Sequence, residues 1–266
     1  MIRYFIVVLL SICGTLTFGQ GIAVSPSRIF FDGAPGQTVS QDIMFRNTSS
    51  SEFSFVARMQ DWDRDSLGVK VYYEPDNKSS SNLSWLKLSE NAVQLAPGES
   101  KRVNLTMKIP SDPAPQEQTH SMVFFTQTKT QKERAKPGLN VNVLLEIGVQ
   151  VYHTPEGLSA GDLEFIAFED RGLLKVNEKK VRQMDVKIKN AGQINKDAYV
   201  RFELTNIQTG EEISIKSIAV AMMPQAQQWV RFSLPENLQS GRYLAVAILD
   251  AGSQYDLKVA EKEITY

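Results

Sequence analysis

Hydrophobic residues fall on alternate positions over most of the chain beyond residue 20, and the longest such run sets the plan of the rest. In residues 139–151 every odd position is aliphatic: Leu139, Val141, Val143, Leu145, Ile147, Val149 and Val151. The even positions are Asn140, Asn142, Leu144, Glu146, Gly148 and Gln150. A period of two sustained this long predicts a β-strand. At about 3.3 Å per residue it would run roughly 40 Å, about twice an ordinary strand, so one compact sheet is not expected to use all of it. Residues 129–138, just before it, are charged and lack an apolar period, which predicts a mobile loop. Pro155 and Gly157, just after it, predict a hinge. Two uses of such a strand are open: a long sandwich strand buried on one face, or a strand that pairs with a partner's extended segment by strand addition.

Shorter alternating runs with turn residues between them make up the remainder. Residues 22–31 predict a strand containing Pro26, which cannot donate to a ladder and so marks an edge or a change of sheet. Further runs lie at 39–46, 53–62, 69–73, 85–88, 92–95, 101–109 and 121–127. Turn clusters at 32–36, 47–51 and 76–82, Pro97 with Gly98, and a loop holding Pro110, Pro113 and Pro115 separate them. After Pro155 the runs 163–168, 173–176, 183–189, 198–204, 212–218, 228–234, 242–249 and 256–264 follow. Strands spaced about ten residues apart with turns between them predict antiparallel sandwiches. The expectation is an all-β chain of two immunoglobulin-like β-sandwich domains in tandem, over residues 21–154 and 155–266.

Charge and termini narrow the partner class. With 29 basic and 30 acidic residues the chain carries no electrostatic footprint for nucleic acid or for an anionic membrane surface. Arg3, an apolar run over residues 4–13 and small or polar residues over 14–20 predict a secretory signal peptide, residues 1–20, cut near Gln20. The apolar core is shorter than the ~20 residues a membrane span requires. Cys13 is the only cysteine, so cleavage would leave none and exclude disulfides, thiolate nucleophiles and cysteine-ligated metals. Lipidation at Cys13 is the alternative, disfavoured because Ile12 stands where a small residue is preferred. Residues 259–266 hold no apolar anchor, and a soluble exported product is expected.

Catalytic and ligand motifs are missing. His120 and His153, the only histidines, are far apart in sequence and lack a carboxylate at ligand spacing. No GxSxG, Walker loop or GxGxxG occurs. Asp61, Asp63 and Asp65 alternate as calcium ligands can, without the glycine and distal glutamate of an EF-hand, so a solvated turn is expected there. Asn47, Asn77, Asn82 and Asn104 match the glycosylation acceptor pattern. No enzyme activity, cofactor or metal is expected.

Taken in order, several segments resemble the periplasmic pilus (fimbrial) chaperones of the PapD-like family. Residues 24–33, with Arg28 before a short apolar run and the Asp32 and Gly33 turn, are similar to the family's first strand. Residues 45–49 resemble its next strand and Asn turn, and residues 93–100 its Leu-x-Pro-Gly turn. The charged loop, the alternating strand and Pro155 stand where the family has its flexible loop, its subunit-capping strand and its interdomain proline. The resemblance implies a chaperone that caps exported pilus or surface subunits by lending them a strand, and leaves open whether an outer-membrane usher takes part. It nominates Arg28 to receive a subunit's terminal carboxylate, and Leu139, Val141, Val143, Leu145 and Ile147 to fill the subunit's groove.

Two positions depart from that pattern. The family's second cleft cation is a lysine late in the long strand, where this chain has Gly148 and Gln150. The family's arginine before the interdomain proline is Thr154 here. A competing resemblance concerns residues 228–246, which look like the second domain of surface proteins that bind cell-wall or WxL-type partners. That reading implies an adhesive or scaffold protein.

Overall fold

The computed structural model describes residues 21–266 apart from 76, 130, 134–140, 177 and 178. The expected signal peptide with Cys13, and the nominated Leu139, lie outside the described residues. The first half holds β1 (Ile22–Ser25), β2 (Arg28–Phe31), β3 (Thr38–Asn47), β4 (Phe53–Arg64), β5 (Lys70–Tyr73), β6 (Leu86–Leu88) and β7 (Ala92–Leu95). It continues with β8 (Ser100–Lys108), β9 (Thr119–Gln127), β10 (Gln131–Glu133), β11 (Val141–Val143) and β12 (Glu146–His153). One sheet runs β1-β3-β8-β6, and the facing sheet runs β2-β12-β9-β4-β5, with β7 also paired to β4. β10 and β11 form a separate two-stranded ribbon.

Alternation decides which side chains meet between these sheets. In β8, Val103, Leu105 and Met107 point inward and are fully buried, while the residues between them are not. Phe45 of β3 meets Phe125 of β9 edge to face at 4.8 Å, joining the two layers. The first strand does change sheets at Pro26: β1 pairs with β3 in one layer and β2 with β12 in the other. A proline at the crossing costs no ladder bond, because the chain is leaving one ladder there.

The second half holds β13 (Leu163–Val176), β14 (Lys179–Asn190), β15 (Lys196–Asn206), β16 (Glu212–Met222), β17 (Gln227–Ser233), β18 (Arg242–Asp250) and β19 (Lys258–Thr265). Sheets β13-β14-β17 and β16-β15-β18-β19 enclose a separate core built on Val200, Phe202, Leu204, Phe232, Ala245 and Leu249. The chain is thus all-β, two immunoglobulin-like sandwiches in tandem, with a single 3-10 turn at Leu83–Trp85 among the described residues. Among the described residues no helix is long and apolar enough to cross a membrane.

Three local expectations are corrected. The runs at 163–168 and 173–176 are one strand, β13, whose bulges at Phe165/Ala167 and Asp170/Gly172 interrupt the alternation that would have shown its continuity. Asp61 to Arg64 is strand, not solvated turn: Asp61 is buried and accepts from the Asn77 amide at 2.8 Å, and Trp62 is fully buried. Part of the charged segment before the long strand is ordered as β10.

Buried asparagines close corresponding turns in the two sandwiches. Asn47 donates to the carbonyls of Ser51, Leu95 and Ala96 at 2.7, 3.3 and 3.0 Å and accepts from the Ser49 amide. Asn190 donates to the Ile194 and Met223 carbonyls at 2.9 and 3.0 Å and accepts from the Gly192 amide. Asn47 and Asn82 are both fully buried, so their match to the glycosylation pattern has no accessible acceptor behind it.

Candidate functional site

The long alternating stretch divides. Its second part is β12, paired antiparallel to β9 along all of Glu146 to His153. Its first part pairs with β10 at Val141 to Val143. Between them Gln127, the last residue of β9, holds Leu145: its side-chain Oε1 accepts from the Leu145 amide at 3.2 Å, and its backbone amide donates to the Leu145 carbonyl at 2.8 Å.

The other edge of β12 is only half used. β2 runs parallel to β12 from Arg28 to Phe31, opposite Gln150 to His153, and goes no further. The Gln150 amide donates to the Ser27 carbonyl at 3.0 Å, so the backbone groups of Gly148 and Glu146, two and four residues earlier, face the same edge. Among the described residues no strand lies beside Glu146 to Val149 there, because the chain turns at Pro26 into the opposite sheet.

The aliphatic row follows the same gradient. Val149 and Val151 are sealed in the first core, whereas Ile147 and Leu145 are half-buried against its rim. Ile22 and Val24, on the β1 edge of the facing sheet, are half-buried against the same core. Both sheets therefore leave half-buried aliphatic side chains at the rim of the first core, and β12 leaves backbone groups there that no described strand takes up. Val141 and Val143 lie on β11, and only their backbone is described.

On the outer face of β12, Arg58 grips Glu146 through both carboxylate oxygens at 3.0 and 3.1 Å, and Thr126 donates to it at 2.6 Å. A Cβ on Gly148 would lie 3.0 Å from Met122 Sδ and 3.1 Å from the Phe124 ring. Those side chains take the space a lysine there would need.

At the far end β12 enters the cleft between the sandwiches. Tyr152 stacks on Phe30 with ring centroids 5.0 Å apart and donates to Gln150 Oε1 at 2.8 Å. Burial pushes its phenol up to about 12, against the pull of Arg28 and Arg64. Trp62, Met122, Phe124 and Tyr152 pack with Met223 of the second sandwich. Arg28, half-buried, is ion-paired with Asp197 of β15. The two sandwiches are also tied by Gln118, which donates to Thr154 Oγ1 and accepts from the Asn195 amide, both at 2.7 Å. The Trp229 amide donates to the Ser66 carbonyl at 2.8 Å across the same seam. The bond from Gln118 to Thr154 stands at the position where the resemblance implies an arginine before Pro155. Neither Gln118 nor the turn at Ser66 carries a motif that marks it in the sequence.

Both histidines are structural. His120 Nε2 lies 2.9 Å from the Trp62 carbonyl and its ring meets the indole edge-on, while His153 Nε2 lies 3.3 Å from the Gly33 carbonyl. Burial lowers the pKa of each. In the unfolded chain they titrate near about 6.5, so below that pH the unfolded state binds more protons and folding stability falls. The urea midpoint is therefore expected to hold above about pH 6.5 and to drop on acidification to about pH 5.5. In a His120→Gln/His153→Gln variant that drop should be smaller; an identical drop would place the sensitivity elsewhere. Among the described residues no group of histidine and carboxylate side chains is placed to hold a metal.

No family model and no curated protein matches the sequence. Solved structures similar to it include chaperones of fimbriae and pili. One is a chain of the CsuC–CsuE chaperone–tip adhesion subunit pre-assembly complex from archaic chaperone-usher Csu pili of Acinetobacter baumannii, at 13% identity and TM-score 0.48 over 91% of this chain and 97% of that one. Another is the E. coli chaperone DraB, at 13% identity and TM-score 0.42 over 93% of this chain and 98% of that one. A third is a chain of the Salmonella enterica SafA pilin–SafB chaperone complex, at 11% identity and TM-score 0.43 over 93% and 97%. At such identity the likeness concerns the fold, and function has to come from this chain's own edge and cleft.

Proposed function

We propose that the protein is a non-enzymatic, exported, periplasmic chaperone. Its first domain, residues 21–154, lends a strand to pilus or surface subunits whose own fold lacks one, and residues 155–266 form the second domain. The observation that carries this reading is the half-used edge of β12: paired along its whole length on one side, and on the other only from Gln150 onward. An added strand would take its main-chain bonds from Glu146 and Gly148, while Leu145 and Ile147 would meet its apolar side chains. The nominated Val141 and Val143, on the β10-β11 ribbon that precedes β12 in the chain, are proposed to add to that apolar row, as is Leu139, which lies outside the described residues.

Charge supports one direction for the guest. A strand added here lies in line with β2, which runs parallel to β12 and starts at Arg28. A guest parallel to β12 ends with its carboxylate beside Arg28, whereas an antiparallel guest would bring its ammonium group to that cation. Arg28 is paired with Asp197, but Arg64 and Lys70 lie near it, and the net positive charge of the group favours the parallel guest.

The test is to purify the protein from its native envelope, identify what accompanies it, and measure amide exchange in the complex. A secreted subunit should co-purify, and exchange at Glu146 and Gly148 should slow about tenfold or more when their edge is covered. Sedimentation with cell walls and no subunit would support the scaffold reading instead. A subunit complex in which those amides exchange at the free rate would rule out strand addition at this edge. An usher, if one takes part, would be found among the same co-purifying proteins.

A further inference from the structure

The cleft holds more positive charge than it balances. The β4–β5 hairpin sets Arg64 directly opposite Lys70, and like charges in that position destabilise a ladder. Both lean over one indole: the Arg64 guanidinium lies 5.5 Å and the Lys70 ammonium 5.7 Å from the Trp62 ring centroid. Arg28 of β2 is close enough for its charge to act on both. Burial, joined by the neighbouring cations, lowers the pKa of Arg64 and of Lys70. Asp197, the carboxylate that faces this group, is bound to Arg28. Arg64 donates to the Gly68 carbonyl at 2.7 Å, and its Nε is buried with no partner. Among the described residues neither Arg64 nor Lys70 has an ion pair. A hairpin that brings two cations together over a buried ring, with a third beside them and one counter-ion among the three, is arranged for an anion.

We propose that Arg64 and Lys70 form the carboxylate-binding site of the cleft, and that Arg28 stands beside them, occupied by Asp197. This rests on the strand-addition reading, which brings a guest strand to its end beside Arg28. It departs from the assignment that the resemblance suggested, in which Arg28 and a lysine on the long strand receive the carboxylate. Here Met122 and Phe124 close over Gly148, and the additional cations come from a different hairpin. A carboxylate at this point relieves the repulsion between Arg64 and Lys70 and accepts from a guanidinium fork and an ammonium together.

The test uses small probes that do not need the β12 edge. N-acetylvaline supplies a terminal carboxylate, N-acetylaspartic acid amide a side-chain carboxylate, and N-acetylvaline amide neither. Each is titrated into the full exported chain while NMR follows the Arg64 Nε–H and Lys70 ammonium signals. The two acids should shift both signals and the amide should not; the tighter of the acids shows whether a chain end or an acidic side chain is the better fit. Arg64→Gln with Lys70→Gln should weaken acid binding about tenfold, and Arg64→Lys with Lys70→Arg should restore it. If the double glutamine variant does not fold, Lys70→Gln alone should weaken binding about threefold. Equal response to acid and amide, or acid affinity unchanged in the glutamine variants, would overturn the assignment. Subunit capture without any probe response would remove this site and keep strand addition. Probe response without capture would do the reverse.

Discussion

Replacing Val143 and Leu145 together by glutamate is expected to abolish partner capture, with affinity falling about a hundredfold or more. An aliphatic side chain seated in a guest's groove contributes about 1.5–3 kcal/mol, and a carboxylate forced into the same place has no counter-ion there. The fold should survive. Leu145 sits on the rim of the first core, where a glutamate can turn to water, and Val143 lies on the ribbon beyond β12. Val149→Glu is the contrast, because Val149 is fully buried and a charge there should unfold the first sandwich. The measurements are subunit binding by titration calorimetry and stability by urea unfolding. If the Val143/Leu145 variant unfolds as Val149→Glu does, those side chains are ordinary core and the capture reading loses its support.

The largest loss of stability from a single truncation in the cleft is expected at Trp62→Ala, about 3–5 kcal/mol. The indole is fully buried, meets the rings of His120 and Tyr152 edge-on at 5.3 and 6.1 Å, and packs in the cluster that includes Met223 of the second sandwich. Its Nε1 has no hydrogen-bond partner, so the loss is one of packing and not of a bond. The truncation also removes the largest side chain of the cluster that Met223 of the second sandwich joins. Calorimetry should show the first sandwich melting earlier and apart from the second, where the intact protein melts more nearly as one unit. Trp62→Phe should recover most of the loss. A Trp62→Ala profile that overlays the original would mean that the seam is held by Gln118 and Ser66 without this cluster.

Strands that face water on one side were legible, because there the pleat writes its period directly into the sequence. β8, β15 and β18 alternate buried and less buried residues along their length, and each was expected as a strand. The pattern misled where geometry breaks the period. The bulges of β13 split one strand into two apparent ones, and Asp61 and Asp63 disguised the end of β4 as a turn. One oxygen of the buried Asp61 is met by the Asn77 amide, sixteen residues on. No local pattern carries that information.

The order of residues alone was enough to establish an all-β chain of two sandwiches, an aliphatic row long enough to serve a second body, and the absence of catalytic motifs. Those properties depend on period, turn chemistry and residue type, all of which are local. Tertiary structure decided which part of the row is spare, because that depends on where β2 leaves β12 and joins the opposite layer. It also decided which cations share the cleft. Arg28, Arg64 and Lys70 come from three strands, and only the packing of the layers and the closure of the β4–β5 hairpin bring their charges within reach of one another.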